Sequence, residues 1–246
     1  MGESAAAMRN FGARIAKGKW IYFADADCEV SIEKIEAVIA TMEKHSLLVA
    51  GGIYKQRAET TVQKSYHWIQ RQWVLKGLHS SSFHGYRLGS NLLGGSLLVS
   101  KEAFDAVGGF NENLGWGGEE TEFVRRLERA GISCTVSYRL WVHHQNDLNL
   151  KGFLRRAWIQ NFNKGYYNLT PFQPLASRSR LQKGLLGYHP KIQVAVLLFA
   201  SVATLAFYTG TCFSFRSKLL KDELGKKQNH EFEFALQAVG PQPNSK

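Results

Sequence analysis

The alternation of apolar and polar positions predicts strands and helices in turn along the first half of the chain. Residues 20–23, WIYF, form a continuous apolar block that is typical of a strand buried on both faces. An alanine-rich helix over residues 3–17, ended by Gly18, is expected before it. Helical spacing returns over residues 31–44, and the apolar run 47–54 predicts the next strand. Strand, helix and strand at this spacing indicate a parallel unit.

The pattern is less regular after residue 60, but it still predicts alternating elements. Residues 77–91 are rich in Ser, Gly and His, so their composition predicts a loop. The other predicted elements are a helix over 60–76, a strand over 92–100, a short helix over 103–107, a helix that begins at Glu119, and two strands in the segments ISCTVS and LWVHH. Residues 150–168 combine aromatic and basic side chains, which is typical of a helix at a membrane interface.

The net charge of +11 is concentrated in one segment of the chain. Residues 148–221 contain eleven Lys and Arg and no Asp or Glu, and the remaining 20 basic and 20 acidic residues cancel. Such a basic block is typical of proteins that bind nucleic acid or an anionic membrane surface. The 44% hydrophobic and 21% charged residues are ordinary for a globular domain and argue against disorder of the whole chain.

An uncharged segment over residues 192–215 decides between these two partners. As a helix it would be about 36 Å long, enough to cross a bilayer at a tilt. A buried core helix is the alternative, although core helices rarely run so far without a charge. Because the basic block flanks this segment, the sequence favours an anionic membrane as the partner and no nucleic acid. The polar tail, residues 216–246, is expected to be disordered beyond Lys221.

Two aspartates directly follow the first predicted strand, in the segment WIYFADADCEV. Asp25 and Asp27 would lie on the same side of an extended backbone, where their charges repel unless a cation lies between them. A hard divalent ion, often one that also holds substrate phosphates, prefers such oxygen ligands. An aspartate before a helix can also be a simple N-cap, so the tripeptide alone leaves both interpretations open.

The segment GWGGEETEFVRRL offers a second group of candidate residues. Glu119 and Glu120 begin a predicted helix, where the helix dipole favours acids without any further role. Trp116 beside Gly117 and Gly118 exposes an aromatic face and bare backbone, which suits a site for an acceptor molecule.

The histidines are further potential metal ligands, whereas the cysteines are not. His143 and His144 end an apolar strand, where a pair can reach a metal, although a single histidine is more often structural. The three cysteines, Cys28, Cys134 and Cys212, are too scattered for a disulfide framework or a zinc site, and favour a reducing compartment.

Taken in order, three segments resemble the family 2 glycosyltransferases of the GT-A fold: RNFGARIAKGKWIYFADADC, GGSLLVSKEAFDAVGGFNENLGWGGEETEFVRRLERAG and VHHQND. The resemblance covers about residues 8–147. It implies an α/β fold with a mixed, mostly parallel sheet flanked by helices and incomplete at the N-terminus, followed by membrane-associated C-terminal helices. The family's first strand and nucleotide-binding loop have no counterpart before Met8, so an N-terminal truncation is expected.

The resemblance also implies roles for individual residues. Asp27 and His144 would bind Mn²⁺ or Mg²⁺, Glu120 would act as the catalytic base, and Glu119 would orient the acceptor or brace its loop. Residues implied to contact substrates are Arg9, Asn10, Asp25, Trp116, Gly117 and Gly118. Glu120 departs from the family, which usually has Asp at this position, so its reach to the acceptor differs.

The resemblance leads us to expect an inverting glycosyltransferase that uses a nucleotide-diphosphate sugar as donor. The expected acceptor is a glycan or a lipid-linked molecule. The protein would lie at the cell membrane, with its catalytic domain on the cytoplasmic side. The expected divisions are a catalytic domain (1–147), a basic juxtamembrane region (148–191), a transmembrane helix (192–215) and the tail. Two alternatives stay open: an inactive fragment that binds glycan or lipid-linked sugar, and a metal-dependent nucleotidyltransferase.

Overall fold

The computed structural model describes residues 4–56, 58–83, 86–114, 117–144, 147–167 and 188–238, and it confirms an α/β fold with helices flanking a mixed sheet. The strands are β1 (Trp20–Ala24), β2 (Cys28–Glu29), β3 (Val49–Gln56), β4 (Leu78–Phe83), β5 (Tyr86–Gly89), β6 (Ser96–Ser100) and β7 (Cys134–His144). The helices are α1 (Ala5–Ile15), α2 (Ile32–Lys44), α3 (Thr61–Lys76), α4 (Lys101–Ala106), α5 (Glu119–Arg129), α6 (Leu150–Tyr166) and α7 (Pro190–Ala238).

The direction of the strands corrects one expectation. The strand order is β1-β6-β3-β7-β5-β4, with β2 paired to β7. Of the described strand pairs, only β3–β7 is parallel, so the prediction of a mostly parallel sheet is wrong. The helix α2 does connect two strands of the same direction, but β6 lies between β1 and β3 and runs antiparallel to both.

Two segments differ from the elements predicted for them. Residues 77–91, predicted as a loop, contain the antiparallel strands β4 and β5. The strand β5 pairs with β7, and β4, which is rich in serine and has no apolar alternation, pairs with β5. The two strands predicted in ISCTVS and LWVHH are one strand, β7, whose register against β3 shifts between Gly51 and Ile53. Tyr138 lies at this irregularity and is exposed. The apolar pattern of β7 is interrupted there, which is why the sequence predicted two strands.

Apolar side chains cover both faces of the sheet. All five residues of β6 are buried, and its alternate side chains enter two different clusters. Leu97 and Val99 pack with Phe104, Phe110 and Phe123 on the face that carries α1, α4 and α5. On the other face Leu98 and Leu140 pack with Val38 and Met42 of α2. A central strand buried on both sides therefore supports the ends of β1, β3 and β7, where the candidate residues lie.

The C-terminal helices α6 and α7 pack against each other and against α3. In the part of the chain that the structure describes, one helix is long and apolar enough to cross a membrane, over Pro190–Lys218 of α7. Its buried side chains, such as Ile192, Val196 and Phe199, form one face. The opposite face exposes large apolar side chains: Val194, Leu197, Leu198, Leu205, Tyr208 and Phe215. The tail does not fit the prediction of disorder beyond Lys221, because α7 continues as a helix to Ala238.

Two glycines bring the backbones of α6 and α7 into direct contact. A Cβ at Gly165 would collide with the Phe207 carbonyl oxygen, and a Cβ at Gly210 would collide with that of Phe162. Small residues allow this close approach in membrane helices as well as in soluble ones. We expect Gly210→Ala to lower the free energy of unfolding by about 1–3 kcal/mol, because the helices must separate to admit the methyl group.

The melting midpoint of the purified full chain in detergent measures this effect. Gly12→Ala in α1 is the matched control, since a Cβ there meets no atom within 4 Å and alanine favours a helix over glycine. Equal melting midpoints for Gly210→Ala and Gly12→Ala would show that the contact between α6 and α7 does not limit stability.

Candidate active site

A tight turn between β1 and β2 positions the two aspartates. The backbone N–H of Cys28 donates to the Asp25 carbonyl oxygen at 3.0 Å, and this bond reverses the chain directly after β1. The strand β2 then pairs with β7 so that Cys28 lies opposite His144. The aspartates are thus brought together by a turn rather than by an extended strand, and the pairing adds His144 to them.

These residues form a group that could hold a metal ion. Asp25, Asp27, Cys28 and His144 each offer one ligand atom, and the four atoms lie within 4.8 Å of one another. His144 Nε2 lies 3.3 Å from Asp27 Oδ1. Burial lowers the pKa of His144, which favours the neutral imidazole that binds metals.

The chemistry of the ligand set fits a hard divalent cation. Burial, followed by the charges of Asp25 and Asp27, raises the pKa of Cys28 to about 12, so its sulfur carries a proton at neutral pH. Two carboxylates and one imidazole then supply oxygen and nitrogen ligands, which suit Mn²⁺ or Mg²⁺ rather than a thiolate-bound metal. The residues present therefore fit the predicted cofactor.

Arg9 of α1 lies between the aspartate Asp25 after β1 and the glutamates at the start of α5. Its guanidinium nitrogens lie 3.0 Å from Asp25 Oδ1, 3.3 Å from Glu119 Oε1 and 3.4 Å from Glu120 Oε1. One guanidinium among three carboxylates and Asp27 leaves an excess of negative charge, which a divalent cation would offset. Arg9 therefore positions the acids, in addition to the contact with substrate predicted for it.

The two glutamates at the start of α5 differ in their environments. Burial, then the charge of Glu119, raises the pKa of Glu120 to about 7, although Arg9 opposes this shift. The side chain of Glu119 is only 7% exposed, and its Oε2 accepts no hydrogen bond from any described residue. A buried acceptor atom without a donor is costly, and both glutamates line the same cavity, so Glu119 is suited to receive a hydrogen bond from a bound molecule.

Tyr54 of β3 supports the metal-binding group from the side. Its ring stacks on His144 with a centroid distance of 4.5 Å and an interplanar angle of 4°. Its hydroxyl donates to Asp25 Oδ2 at 3.3 Å and accepts from the Gly95 backbone N–H at 3.0 Å. Burial raises the pKa of Tyr54, which keeps this hydroxyl protonated and able to donate. Tyr54 thus fixes the orientation of both an acid and the imidazole.

Gly94 and Gly95, just before β6, leave the space that the acids occupy. A Cβ at Gly94 would collide with Glu120 Oε1, and a Cβ at Gly95 would collide with Asp25 and with the Tyr54 hydroxyl. The missing side chain at Gly94 leaves room for the Glu120 carboxylate. The sequence reasoning missed Tyr54, Gly94 and Gly95 as functional residues. The glycine pair before a buried strand was the signal that could have found two of them.

Gly117 and Gly118 hold the approach to α5 in a left-handed conformation, with φ of 88° and 106°. Gly118 is the N-cap of α5 and makes no side-chain hydrogen bond. Glu119 and Glu120 follow it directly and lie in the first turn of the helix. Gln160 of α6 packs against Gly117, and Asn163 Nδ2 lies 3.5 Å from the Gly117 carbonyl oxygen. The predicted Trp116 lies outside the described residues.

Asn10 is not among the residues that line the cavity, and its contact with substrate stays a prediction. Its side chain donates to the Phe110 carbonyl oxygen and accepts from the Phe110 N–H, both at 2.8 Å, and also donates to Glu112. These bonds join α1 to the turn after α4. Asn10 therefore fixes the position of the helix that carries Arg9.

A cavity of about 620 Å³ is lined by Asp25, Asp27 and His144 of the metal-binding group, by Arg9 and by the two glutamates. Its volume is that of an ordinary small-molecule site. Residues from α3, α6 and α7 line the same cavity, among them Trp73, Gln160, Lys164 and Phe207. The site thus combines the acidic end of the sheet with a wall formed by the C-terminal helices.

Comparison with known proteins finds two matching families. Residues 2–108 match the family described as Glycosyl transferase family 2, and residues 77–144 match the N-terminal domain of galactosyltransferase. Together the two matches cover residues 2–144, and both are to glycosyltransferases. Asp25 and Asp27 lie within the family 2 match, whereas Glu119, Glu120 and His144 lie within the galactosyltransferase match. The helices α6 and α7 lie beyond both matches.

The chain spans only part of the length of the similar proteins. A Drosophila melanogaster protein named for polypeptide N-acetylgalactosaminyltransferase 13 is 27% identical over 201 residues, which cover 66% of this chain and 35% of the relative. The structure of GalNAc-T7 with UDP, GalNAc and Mn²⁺ matches with a TM-score of 0.44 and 16% identity over 75% of this chain and 40% of that one. The mannosyltransferase PcManGT from Pyrobaculum calidifontis, in complex with GDP-Man and Mn²⁺, matches with a TM-score of 0.44 and 13% identity over 96% of this chain and 64% of that one.

Proposed function

We propose that this protein is a metal-dependent inverting glycosyltransferase that transfers sugar from a nucleotide-diphosphate sugar to a glycan or lipid-linked acceptor. One observation carries the proposal: Asp25, Asp27 and His144 line a single cavity with the two glutamates, and Arg9 joins Asp25 to those glutamates. The donor class is supported by the family 2 match and by the relative named for an N-acetylgalactosaminyltransferase.

Asp27 and His144 would hold Mn²⁺ or Mg²⁺, with Asp25 beside them toward the nucleotide. When bound, the cation supplies positive charge against the diphosphate of the donor, where negative charge develops as the sugar leaves. Arg9 and Tyr54 keep the Asp25 carboxylate in place through their hydrogen bonds. The Asp25 carboxylate is therefore held in position before the donor binds.

Glu120 is proposed as the base that receives a proton from the acceptor hydroxyl. The acceptor oxygen forms a bond to the anomeric carbon while the bond from that carbon to the diphosphate oxygen breaks, and the bonding electrons leave with the diphosphate. Attack from the face opposite the leaving group inverts the anomeric configuration and requires no covalent enzyme intermediate. With its pKa near neutrality, Glu120 can both accept the proton and release it after turnover.

Glu119 is proposed to orient the acceptor. Its buried Oε2 has no donor among the described residues, while its Oε1 is held by Arg9. An acceptor hydroxyl beside the attacking one would satisfy this atom and fix the distance to Glu120.

Membrane attachment is proposed for the C-terminal part of the chain. The apolar outer face of α7 and the eleven basic residues of 148–221 support attachment to an anionic membrane, with residues 192–215 as the span. Within this proposal residues 1–147 are the catalytic domain, residues 148–191 the juxtamembrane region and residues 216–246 the tail. We place the catalytic domain on the cytoplasmic side, where the nucleotide-sugar would be supplied.

The full chain purified in detergent, mixed with a panel of nucleotide-sugars and acceptor glycosides, tests this function. Release of nucleoside diphosphate should require added Mn²⁺ or Mg²⁺, and nuclear magnetic resonance of the product should show an inverted anomeric configuration. A product with retained anomeric configuration would show that Glu120 is not the base of an inverting transfer. Donor binding seen as a thermal shift with Mn²⁺, but without any turnover, would support the inactive glycan-binding alternative instead.

A further inference from the structure

The cavity has an apolar wall beside the acids, which transfer chemistry alone does not require. Ile69 and Trp73 of α3 and Phe199 and Phe207 of α7 line the same space as Glu120. Ile69, Phe199 and Phe207 are each less than a tenth exposed. Their side chains present an aromatic and aliphatic surface with no hydrogen-bonding group except the Trp73 indole N–H.

Lys164 of α6 shows that this wall lies close to the reacting end of the cavity. Its Nζ lies 5.5 Å from the centroid of the Trp73 ring. Burial lowers the pKa of Lys164, whereas the charges of Glu120 and Glu119 act in the opposite direction. The ammonium group thus has the aromatic wall and the acid pair as neighbours, so a molecule that reaches Glu120 also reaches the apolar surface.

The helix that carries the wall also carries the face proposed to contact lipid. Phe199 and Phe207 point into the protein, whereas Leu197, Leu198 and Leu205 are exposed on the other side of α7. A helix with its side chains is about 10 Å across. The cavity is therefore separated from the proposed membrane-facing surface by the thickness of a single helix.

We infer that the acceptor is an amphipathic lipid, which narrows the proposed function above and rests on it. Its hydroxyl or sugar headgroup lies at Glu119 and Glu120, and its hydrocarbon chain lies against Ile69, Phe199 and Phe207. A soluble glycan would leave most of this apolar wall in contact with hydroxyl groups or water, whereas a hydrocarbon chain gains free energy from contact with it. A lipid acceptor also explains why a helix suited to a membrane forms part of the active-site wall.

Matched pairs of methyl and dodecyl glycosides of the same sugars test the inference, with the full chain in nanodiscs of phosphatidylcholine and phosphatidylglycerol. The measured quantity is the ratio of kcat/KM for the dodecyl and the methyl acceptor. Ile69→Trp fills the apolar part of the cavity and should lower this ratio about ten-fold, as expected if roughly two methylenes lose contact. Leu197→Trp on the outer face of α7 is the matched control and should leave the ratio unchanged.

Enrichment of dodecyl glycosides in the membrane would affect Ile69→Trp and Leu197→Trp equally. A difference in the ratio between these two variants therefore reports binding in the cavity. Equal use of methyl and dodecyl glycosides, or an equal ratio in both variants, would overturn the lipid acceptor and leave the glycosyltransferase proposal standing. Absence of nucleoside diphosphate release with every donor and acceptor would instead overturn the proposed function itself.

A second measurement uses the wild-type chain and does not require turnover. A dodecyl glycoside with a diazirine at the end of its chain is photolysed with the wild-type full chain, and the labelled residues are identified by mass spectrometry. We expect labels at Ile69, Phe199 or Phe207, reduced by an excess of unmodified dodecyl glycoside. Labels confined to outward residues such as Leu197 and Leu205 would overturn the inference.

Discussion

Replacement of Asp27 by asparagine is expected to lower sugar transfer by about 10³-fold, since the charge stabilisation by a catalytic metal is worth several kcal/mol in the transition state. The substitution keeps the size of the side chain but removes its charge. In the native protein both oxygens of Asp25 already have partners, Arg9 and Tyr54. Asp27, with 44% of its side chain exposed and Oδ1 facing His144, is the carboxylate with room for a cation and substrate.

Metal binding distinguishes this loss from misfolding. The thermal shift of the wild-type chain on addition of Mn²⁺ should disappear in Asp27→Asn, while the melting midpoint without metal stays close to that of the wild type. Asp105→Asn is the control, because Asp105 makes an exposed ion pair with Lys101 on α4, away from the cavity, and such pairs contribute little. Unchanged turnover by Asp27→Asn would refute the assigned metal site.

Replacement of Glu120 by glutamine is expected to lower kcat by about 10²–10⁴-fold, the usual contribution of a general base. Glutamine preserves the shape of the side chain and keeps an oxygen that can accept from Arg9, so donor binding should persist. The fall should therefore appear in kcat rather than in the KM for the nucleotide-sugar. Glu122→Gln on the same helix is the control, since Glu122 pairs with Arg126 and does not line the cavity.

The pH profile gives an independent test of Glu120. Burial raises the pKa of Glu120 to about 7, and only the deprotonated carboxylate can accept a proton. The wild-type rate should be maximal above this pKa and fall as the pH drops through it, reaching roughly a tenth at one pH unit below. Glu120→Gln should lack this inflection. A variant that keeps both the inflection and normal turnover would place the base elsewhere.

Local pattern was sufficient for most of the helices and strands and for the identity of the acids. Apolar blocks and helical spacing are properties of neighbouring residues, so β1, α2, β3 and α5 follow from the sequence within a few residues of their ends. The segment 77–91 was misread because β5 owes its extended form to pairing with β7, and β4 to pairing with β5, rather than to their own composition.

Distant contacts decided how the site is assembled. Arg9 reaches Glu119 across a separation of 110 residues, and nothing in the sequence near Arg9 indicates which acids it joins. His144 rather than His143 faces Asp27 because of the register of β7 against β2, and a shift of one residue would exchange them. His143 instead lies beside Trp141, with a ring centroid distance of 5.1 Å.

The sequence by itself determined the chemistry available to this protein: carboxylates after a buried strand, acids at a helix start, histidines at a strand end and an apolar C-terminal segment. Only the tertiary structure decided that these groups share one cavity and that α6 and α7 form a wall of it. The reason is physical. A side chain's identity and its local backbone depend on near neighbours, whereas strand order, register and helix packing depend on contacts between residues far apart in the chain.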